Sequence, residues 1–347
     1  MKGRIVAIQP RSDGAGNIAA LIEDGRLEDL LVDPADGFGL QPGAICRGVM
    51  ERPLKGQGAA IVRLPDGQKG WLREPKGISP GMSILVQVST HAEPGKAIPV
   101  TLRLTFKSRY AIVTPGAPGL NVARSIRDEE ERDRLDLLAR EGMQGAEGIG
   151  LVLRTSCEGA SDEDISADIA DMRQLAEAVL GDEGKGPELL VDAPDVATRA
   201  WRDWPQPDMV AEGPTAFDDH GVTDVLEELR AIRVNLGGAA WMAVEPTSAL
   251  VAVDVNTGGD TSPAAGLKAN LAAVEALPRA LRLRGLGGQI VVDCAPISKK
   301  QRLDVEAAAR RAFKRDTVDT QVVGWTPLGH LELLRKRERQ PLREVMP

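Results

Sequence analysis

Apolar residues follow two rhythms along this chain. Residues 249–253 and 290–292 are short, β-branched runs bounded by glycine and polar residues, the pattern of buried strands. Between them, residues 267–288 keep apolar positions near i, i+3, i+4 and i+7 over the length of a helix. Strand, helix and strand in that order predict a right-handed βαβ unit with its two strands parallel. Upstream, residues 4–8, 18–22 and 27–32 predict three strands, with a turn at Asp24-Gly25. Five further strand candidates, at 43–52, 58–64, 69–72, 82–88 and 97–104, have the spacing of a small OB-type barrel. A charged helix is expected over 128–141 and an amphipathic one, acid-capped, over 161–180. Later come a strand at 189–191, a helix at 217–229, a hairpin at 234–244 around Gly237-Gly238, and a helix at 303–314.

The apolar run 249–253 delivers Asp254, and the run 290–292 delivers Asp293. Parallel strands present ligands at their carboxyl ends, so the two aspartates can converge. Asn256, two residues after Asp254, points to the same side of an extended chain. In the sequence around them there is no His and no thiolate pair, and Cys294 faces away from Asp293. Two carboxylates and a carboxamide are hard oxygen donors of the kind that suit Mg²⁺ or Mn²⁺, which keep several waters. A strand-end aspartate also serves as an ordinary helix or turn cap, and on chemistry alone both readings stand.

Length and charge narrow the class. A chain of 347 residues is expected to form two or three domains. No run of 18 apolar residues predicts a membrane span, and the opening MKGRIVAIQPRSDG has no signal-peptide core. Three cysteines, odd in number and far apart, fit a reducing cytoplasm without disulfides. The net charge of −8 argues against a nucleic-acid binder, but its distribution does not. Residues 279–343 hold 15 Lys and Arg against 7 Asp and Glu, a local +8 that leaves −16 elsewhere. Such a stretch fits phosphate-backbone binding, or a solvated helix face.

A resemblance adds to these readings. ALVAVDVNTGGD, Asn270-Leu271 and LRLRGLGGQIVVD resemble the catalytic core of the ribonuclease E/G family. That core has a D-x-N after an apolar strand and R-Q-L-R-L-R-D-L-G-G-x-I-V-I-D before its second aspartate. The resemblance implies that Asp254 and Asp293 bind Mg²⁺ (or Mn²⁺) and that Asn256 supports the site. The segment after Asn256 is several residues shorter than the family's. Residues 38–107 are similar to the family's S1 RNA-binding barrel. Trp71 then stands at a base-stacking position, Ile61 replaces the aromatic at a second such position, which implies a weaker platform, and Lys69 and Lys96 become backbone contacts. Trp71 reads equally as core. Residues 148–156 are similar to G-x-G-x-I-x-R-T-A, implying 5′-monophosphate recognition by Arg154 and Thr155, with Arg124 added; a surface ion pair is the plain alternative for Arg154. The segments around Arg302, Arg335 and Arg337 resemble R-rich family motifs that hold RNA phosphates beside the metal.

The expected fold is accordingly α+β and multidomain: N-terminal strands of a reduced RNase H-like region (1–37), an S1-like barrel (38–107), a 5′-sensor-like α/β region (108–212), and a remnant helix with a DNase I-like catalytic domain (213–347). The resemblance implies a cytoplasmic, Mg²⁺-dependent endoribonuclease on single-stranded RNA, favouring 5′-monophosphate ends and leaving 5′-phosphate and 3′-hydroxyl products. No CxxC occurs, so no structural zinc and no zinc-linked dimer or tetramer is expected. The alternative is a catalytically weak or inactive RNA-binding protein on the same scaffold.

Overall fold

Alternating apolar residues make three antiparallel strands at the start of the chain: β1 (Arg4–Pro10), β2 (Asn17–Glu23) and β3 (Arg26–Val32). The turn between the last two sits at Asp24-Gly25, both with positive φ, as the sequence predicts. The computed structural model describes residues 2–34, 39–54, 56–93 and 95–346. The expected boundary at 37/38 lies outside the described residues. By internal contacts the chain forms two units, one of 36–206 and one joining 1–35 to 207–347.

The unit of 36–206 opens with β4 (Ile45–Leu54), β5 (Ala59–Arg63), β6 (Lys69–Arg73), β7 (Ser83–Val88) and β8 (Ile98–Thr101). These pair in the order β4-β5-β6-β8-β7, and β4 pairs again with β7, closing a five-stranded barrel. Ala44, Cys46, Val62, Leu64, Leu72, Val86 and Val100 fill it. Then follow β9 (Phe106–Lys107), β10 (Ala111–Pro115), β11 (Leu120–Val122), α1 (Glu129–Gly142), β12 (Ile149–Leu153), α2 (Asp162–Leu180), β13 (Glu188–Val191) and α3 (Val196–Asp203). Strands β11-β12-β10-β9 form a second sheet, and its apolar residues pack with Leu135, Leu138, Ile165 and Ile169 of α1 and α2. Asp128 and Ser161 cap these helices through Glu131 N–H and Asp164 N–H, which fixes their starts. Strand β13 does not join that sheet; it adds to the barrel at β4.

In the other unit, β14 (Met209–Glu212) joins β1 in parallel, a strand the proline-rich sequence before it hides. The helix expected over 217–229 is broken into α4 (Ala216–Asp219) and α5 (Val222–Arg230), because Gly221 between them adopts a left-handed conformation. Residues 233–345 fold as β15 (Arg233–Gly237), β16 (Ala240–Pro246), β17 (Val251–Asn256), α6 (Ala265–Leu283), β18 (Gly288–Asp293), α7 (Lys299–Arg315), β19 (Thr320–Trp325), β20 (Leu331–Arg335) and the short α8 (Leu342–Val345). The sheet runs β15-β16-β17-β18-β20-β19, with β17 and β18 parallel around α6. Val251, Val253, Val255, Ile290 and Val292 bury against Ala269, Ala273, Val274 and Leu277 of α6. The alternate residues of β17 and β18 lie on the opposite face, where Asp254 and Asp293 are exposed. Helix α7 begins four residues before the expected start, because Ser298 and Gln301 form a capping box. Among the described residues no helix is long and apolar enough to cross a membrane.

Candidate functional site

The register of β17 on β18 pairs Asp254 with Asp293. Neighbouring strands stand about 4.8 Å apart, so both carboxylates rise side by side from the open sheet face. Asn256, one pleat further on, donates from Nδ2 to Asp254 Oδ2 at 2.8 Å, which orients that carboxylate. The chain after Asp293 is held by Asn270 of α6. Its buried side chain donates to Ala295 O and accepts from Ala295 N–H, both at 2.9 Å. The family match singles out Asn270, but only the fold shows this positioning role.

His330 is a neighbour the sequence did not reveal. It precedes β20, which pairs with β18, so a residue distant in sequence arrives beside Asp293. Its Nδ1 lies 3.2 Å from Asp293 Oδ1, without the alignment of a hydrogen bond. The tight turn Thr326–His330 fixes it, with Thr326 N–H donating to His330 O at 2.8 Å and His330 N–H to Thr326 Oγ1 at 3.1 Å. The absence of a nearby histidine, read from the sequence, is therefore corrected. Arg302, in the first turn of α7, lies over the Trp325 ring at 5.2 Å and beside Gly329, where a Cβ would stand 2.7 Å from Nη2. Cys294 is turned toward the core, away from the face that carries Asp254 and Asp293, and burial pushes its thiol up to about 12.

The donor set fits a hard divalent cation. Two exposed carboxylates adjoin, one is already oriented, and an unpaired imidazole nitrogen stands against the other. Among the described residues no three His, Cys, Asp or Glu side chains converge as a metal cage. Water and a phosphate oxygen would complete the shell, the usual mode for Mg²⁺.

Two arginines read as phosphate contacts lie elsewhere. Arg335 pairs with Gly288, at the far end of β18 from Asp293, about 16 Å away at 3.3 Å per residue. It is 2% exposed and donates to Asp316 Oδ2 at 2.5 Å and to Thr320 Oγ1 at 2.9 Å. Arg282 pairs with the other oxygen of Asp316, and Arg339 with Asp29, so a buried ion network occupies this place. The expectation that Arg335 grips RNA beside the metal is corrected: it shares the buried parity of Leu331 and Leu333. Arg337 packs beside Gly288, at the same distant end.

In the unit of 36–206, Trp71 lies partly exposed on β6, paired with Ile61 on one side and Pro99 on the other. Arg73 stands 5.5 Å over its ring. Lys69 opposes Arg63, and Arg52 opposes Ile61, so exposed cations surround the indole. The sequence reading missed Arg52, Arg63 and Arg73; strand alternation alone would have placed them on this face. Lys96 lies on a loop and pairs with Glu93 at 2.5 Å.

Arg154 follows β12 and turns inward. Its Nη1 donates to Ser108 O (2.5 Å) and Arg202 O (2.8 Å), and its Nη2 to Asp203 Oδ1 (3.0 Å). Burial lowers its pKa despite the Asp203 charge. Burial opposes the charge of Asp203 as well, but Arg202 and Lys107 outweigh it and hold the carboxyl well below the usual range. Thr155 is exposed, its hydroxyl 2.7 Å from that of Ser125, with exposed Arg124 next in the chain.

The ribonuclease E/G family model matches residues 105–212 and 206–338. The chain is 29% identical to ribonuclease E of Nostoc sp., over 94% of this chain and 55% of that protein. It is 27% identical to ribonuclease G of Salmonella typhimurium, over 77% of this chain and 62% of that one. To ribonuclease G of Haemophilus influenzae it is 26% identical, over 94% of this chain and 78% of the relative. The chain thus spans little more than half the length of the first two of these curated relatives. With the family model matched over most of its length, the chain belongs to the ribonuclease E/G family.

Proposed function

We propose that this protein is a divalent-metal-dependent endoribonuclease acting on single-stranded RNA. The observation that carries the reading is the register pairing of Asp254 with Asp293, with Asn256 orienting the first, in a chain of this family. Asp254 and Asp293 would hold Mg²⁺, or Mn²⁺ in its place, which would supply polarisation of the phosphodiester and a more acidic bound water. Asn256 keeps Asp254 from turning away, and Asn270 fixes the chain after Asp293. His330 packs on the Asp293 carboxylate and limits its rotation. Arg302, held against Trp325 in the first turn of α7, supplies a cation for a neighbouring phosphate. Hydrolysis at that site leaves 5′-phosphate and 3′-hydroxyl ends.

The remaining roles belong to the same reading. The barrel, read as an S1-type domain, holds single strands by stacking on Trp71 among Lys69, Arg52, Arg63 and Arg73. Arg124, Ser125 and Thr155 form the exposed edge of a 5′-monophosphate site, and Arg154 braces it from behind. The sheet around Asp254 is read as DNase I-like and the strands β1–β3 with β14 as the RNase H-like part. The domain limits given above go with it, save that β14 (209–212) belongs with β1–β3, and so does a cytoplasmic setting.

The test is cleavage of a 3′-labelled single-stranded RNA, bearing 5′-monophosphate or 5′-hydroxyl, in Mg²⁺ and in EDTA. Internal cleavage that needs the cation and runs faster on the monophosphate is expected. Binding without cleavage under all metals would instead favour an RNA-binding protein on this scaffold.

A further inference from the structure

The open face of the six-stranded sheet carries an indole that no apolar core accounts for. Trp241 of β16 belongs to none of the four buried clusters and remains partly exposed. Trp325, by contrast, packs on the core of its unit. The register sets Trp241 directly across from Asn256. Arg233 of β15 stands 4.6 Å over its ring and is aligned with Ala243, whose other neighbour is Asp254. One row across the sheet therefore reads Arg233, Ala243, Asp254, Asp293, and the next holds Trp241 and Asn256.

A cation-stacked tryptophan on a hairpin can be a purely structural pair. Here the hairpin is held by other means. Strand β17 pairs along the length of β16, and Gly258 presses on the hairpin turn so closely that a Cβ would stand 2.1 Å from Ala239 O. The indole is not needed to fix that backbone, and it lies beside the residue that orients a metal-site carboxylate.

We propose that Trp241, with Arg233 beside it, is a base-stacking subsite for the nucleotide adjoining the phosphate held at Asp254 and Asp293. The inference rests on the endoribonuclease reading and deepens it. One pleat separates Trp241 from the row of Asp254, about 6.6 Å along the strand, within reach of a base attached next to a bound phosphate. Every base offers a π-face, so the subsite is sequence-tolerant and sets position rather than identity. Arg233 adds a charge that tracks the backbone.

The test uses a short single-stranded RNA with one cleavage site, and versions with an abasic nucleotide on either side of it. Both KM and Kd are measured, the latter with the Asp254→Asn background, for the parent and for Trp241→Ala and Trp241→Phe. Thermal melts confirm that each variant folds. Trp241→Ala is expected to weaken KM and Kd by about 5- to 150-fold, the range of one stacked base. Trp241→Phe recovers most of that. The abasic RNA is penalised by a similar factor with the parent and not with Trp241→Ala. An abasic penalty that persists in Trp241→Ala, or an unchanged affinity in that variant, overturns the subsite. If the parent binds RNA without cleaving it, the endoribonuclease reading fails, while the abasic Kd comparison still decides the subsite. If it neither binds nor cleaves, both fall.

Discussion

Asp254 and Asp293 are register partners across a parallel strand pair, exposed on a sheet face whose other side is the core. That arrangement lets two carboxylates share one cation with little structural role of their own. Asp254→Asn and Asp293→Asn are each expected to lower the cleavage rate by at least about 100-fold. Stability should move by no more than about 0.5 kcal/mol, as for other exposed positions. Rates in saturating Mg²⁺ and thermal melts check both halves. Cleavage at the parent rate by Asp254→Asn would remove the metal assignment.

Arg335 tests the correction from phosphate contact to buried brace. With Asp316 completely buried beside it, Arg335→Ala leaves a carboxylate without one of its two cations. The expected loss is about 3 kcal/mol of stability, read in denaturant melts. The salt dependence of RNA affinity should not change, because no phosphate contact is removed. A shallower salt slope with an unchanged melt would restore the RNA-binding role.

Much of this site was legible before the fold. Short β-branched runs around a helix-length segment predicted parallel strands, and period-two alternation put Asn256 on the side of Asp254. What the sequence hid were contacts made by strands that enter out of order. His330 meets Asp293 because β20 inserts between β18 and β19, which no local pattern encodes. Arg335 was misplaced because an arginine-rich stretch reads as a surface, whereas its parity with Leu331 and Leu333 points inward to Asp316. Strand β13 joins the barrel for the same reason of long-range pairing. The helix break at Gly221 was local, and there one left-handed residue overrode an apolar rhythm.

Asp203 sets a pH dependence. It pairs with Lys107 at 2.6 Å, Arg154 at 3.0 Å and Arg202 at 2.7 Å. Its pKa is depressed in the folded state, burial being outweighed by these cations. A depressed carboxyl contributes stability in full above its unfolded value, near 4, and loses it as pH falls below that. Asp203→Asn should cost about 1–2 kcal/mol at neutral pH by leaving half-buried cations without their hydrogen-bonded partner. The gap between parent and variant should narrow as pH is lowered from 5 to 2. A gap that stays constant over that range would show that the charge of Asp203 is not what stabilises.

Trp71 offers a separate readout on the barrel. Trp71→Ala should weaken single-strand RNA binding by about 1–3 kcal/mol with the salt slope unchanged, since stacking and not charge is lost. Arg73→Ala and Lys69→Ala should each reduce the slope, by about 0.7 per phosphate contact. Anisotropy titrations at several salt concentrations separate the two effects. A change of slope in Trp71→Ala would mean that the indole acts by holding Arg73.

The short segment after Asn256 makes the sharpest demand on a single residue. Gly258 has φ of +65°, and a Cβ there would lie 2.1 Å from Ala239 O and 2.8 Å from Ala239 Cβ. The segment thus lies directly on the turn between β15 and β16, and the next residue but one before it is Asn256. Gly258→Ala must both adopt a left-handed conformation and push the two loops apart, at a cost of about 1–3 kcal/mol. Because the displaced segment leads out of Asn256, the Asp254 carboxylate should lose part of its orientation, and the midpoint of a Mn²⁺ titration should rise about 10-fold. A melt and a metal titration on the same sample decide it. If both are unchanged, the loop does not press on the hairpin, and the metal site does not depend on that contact.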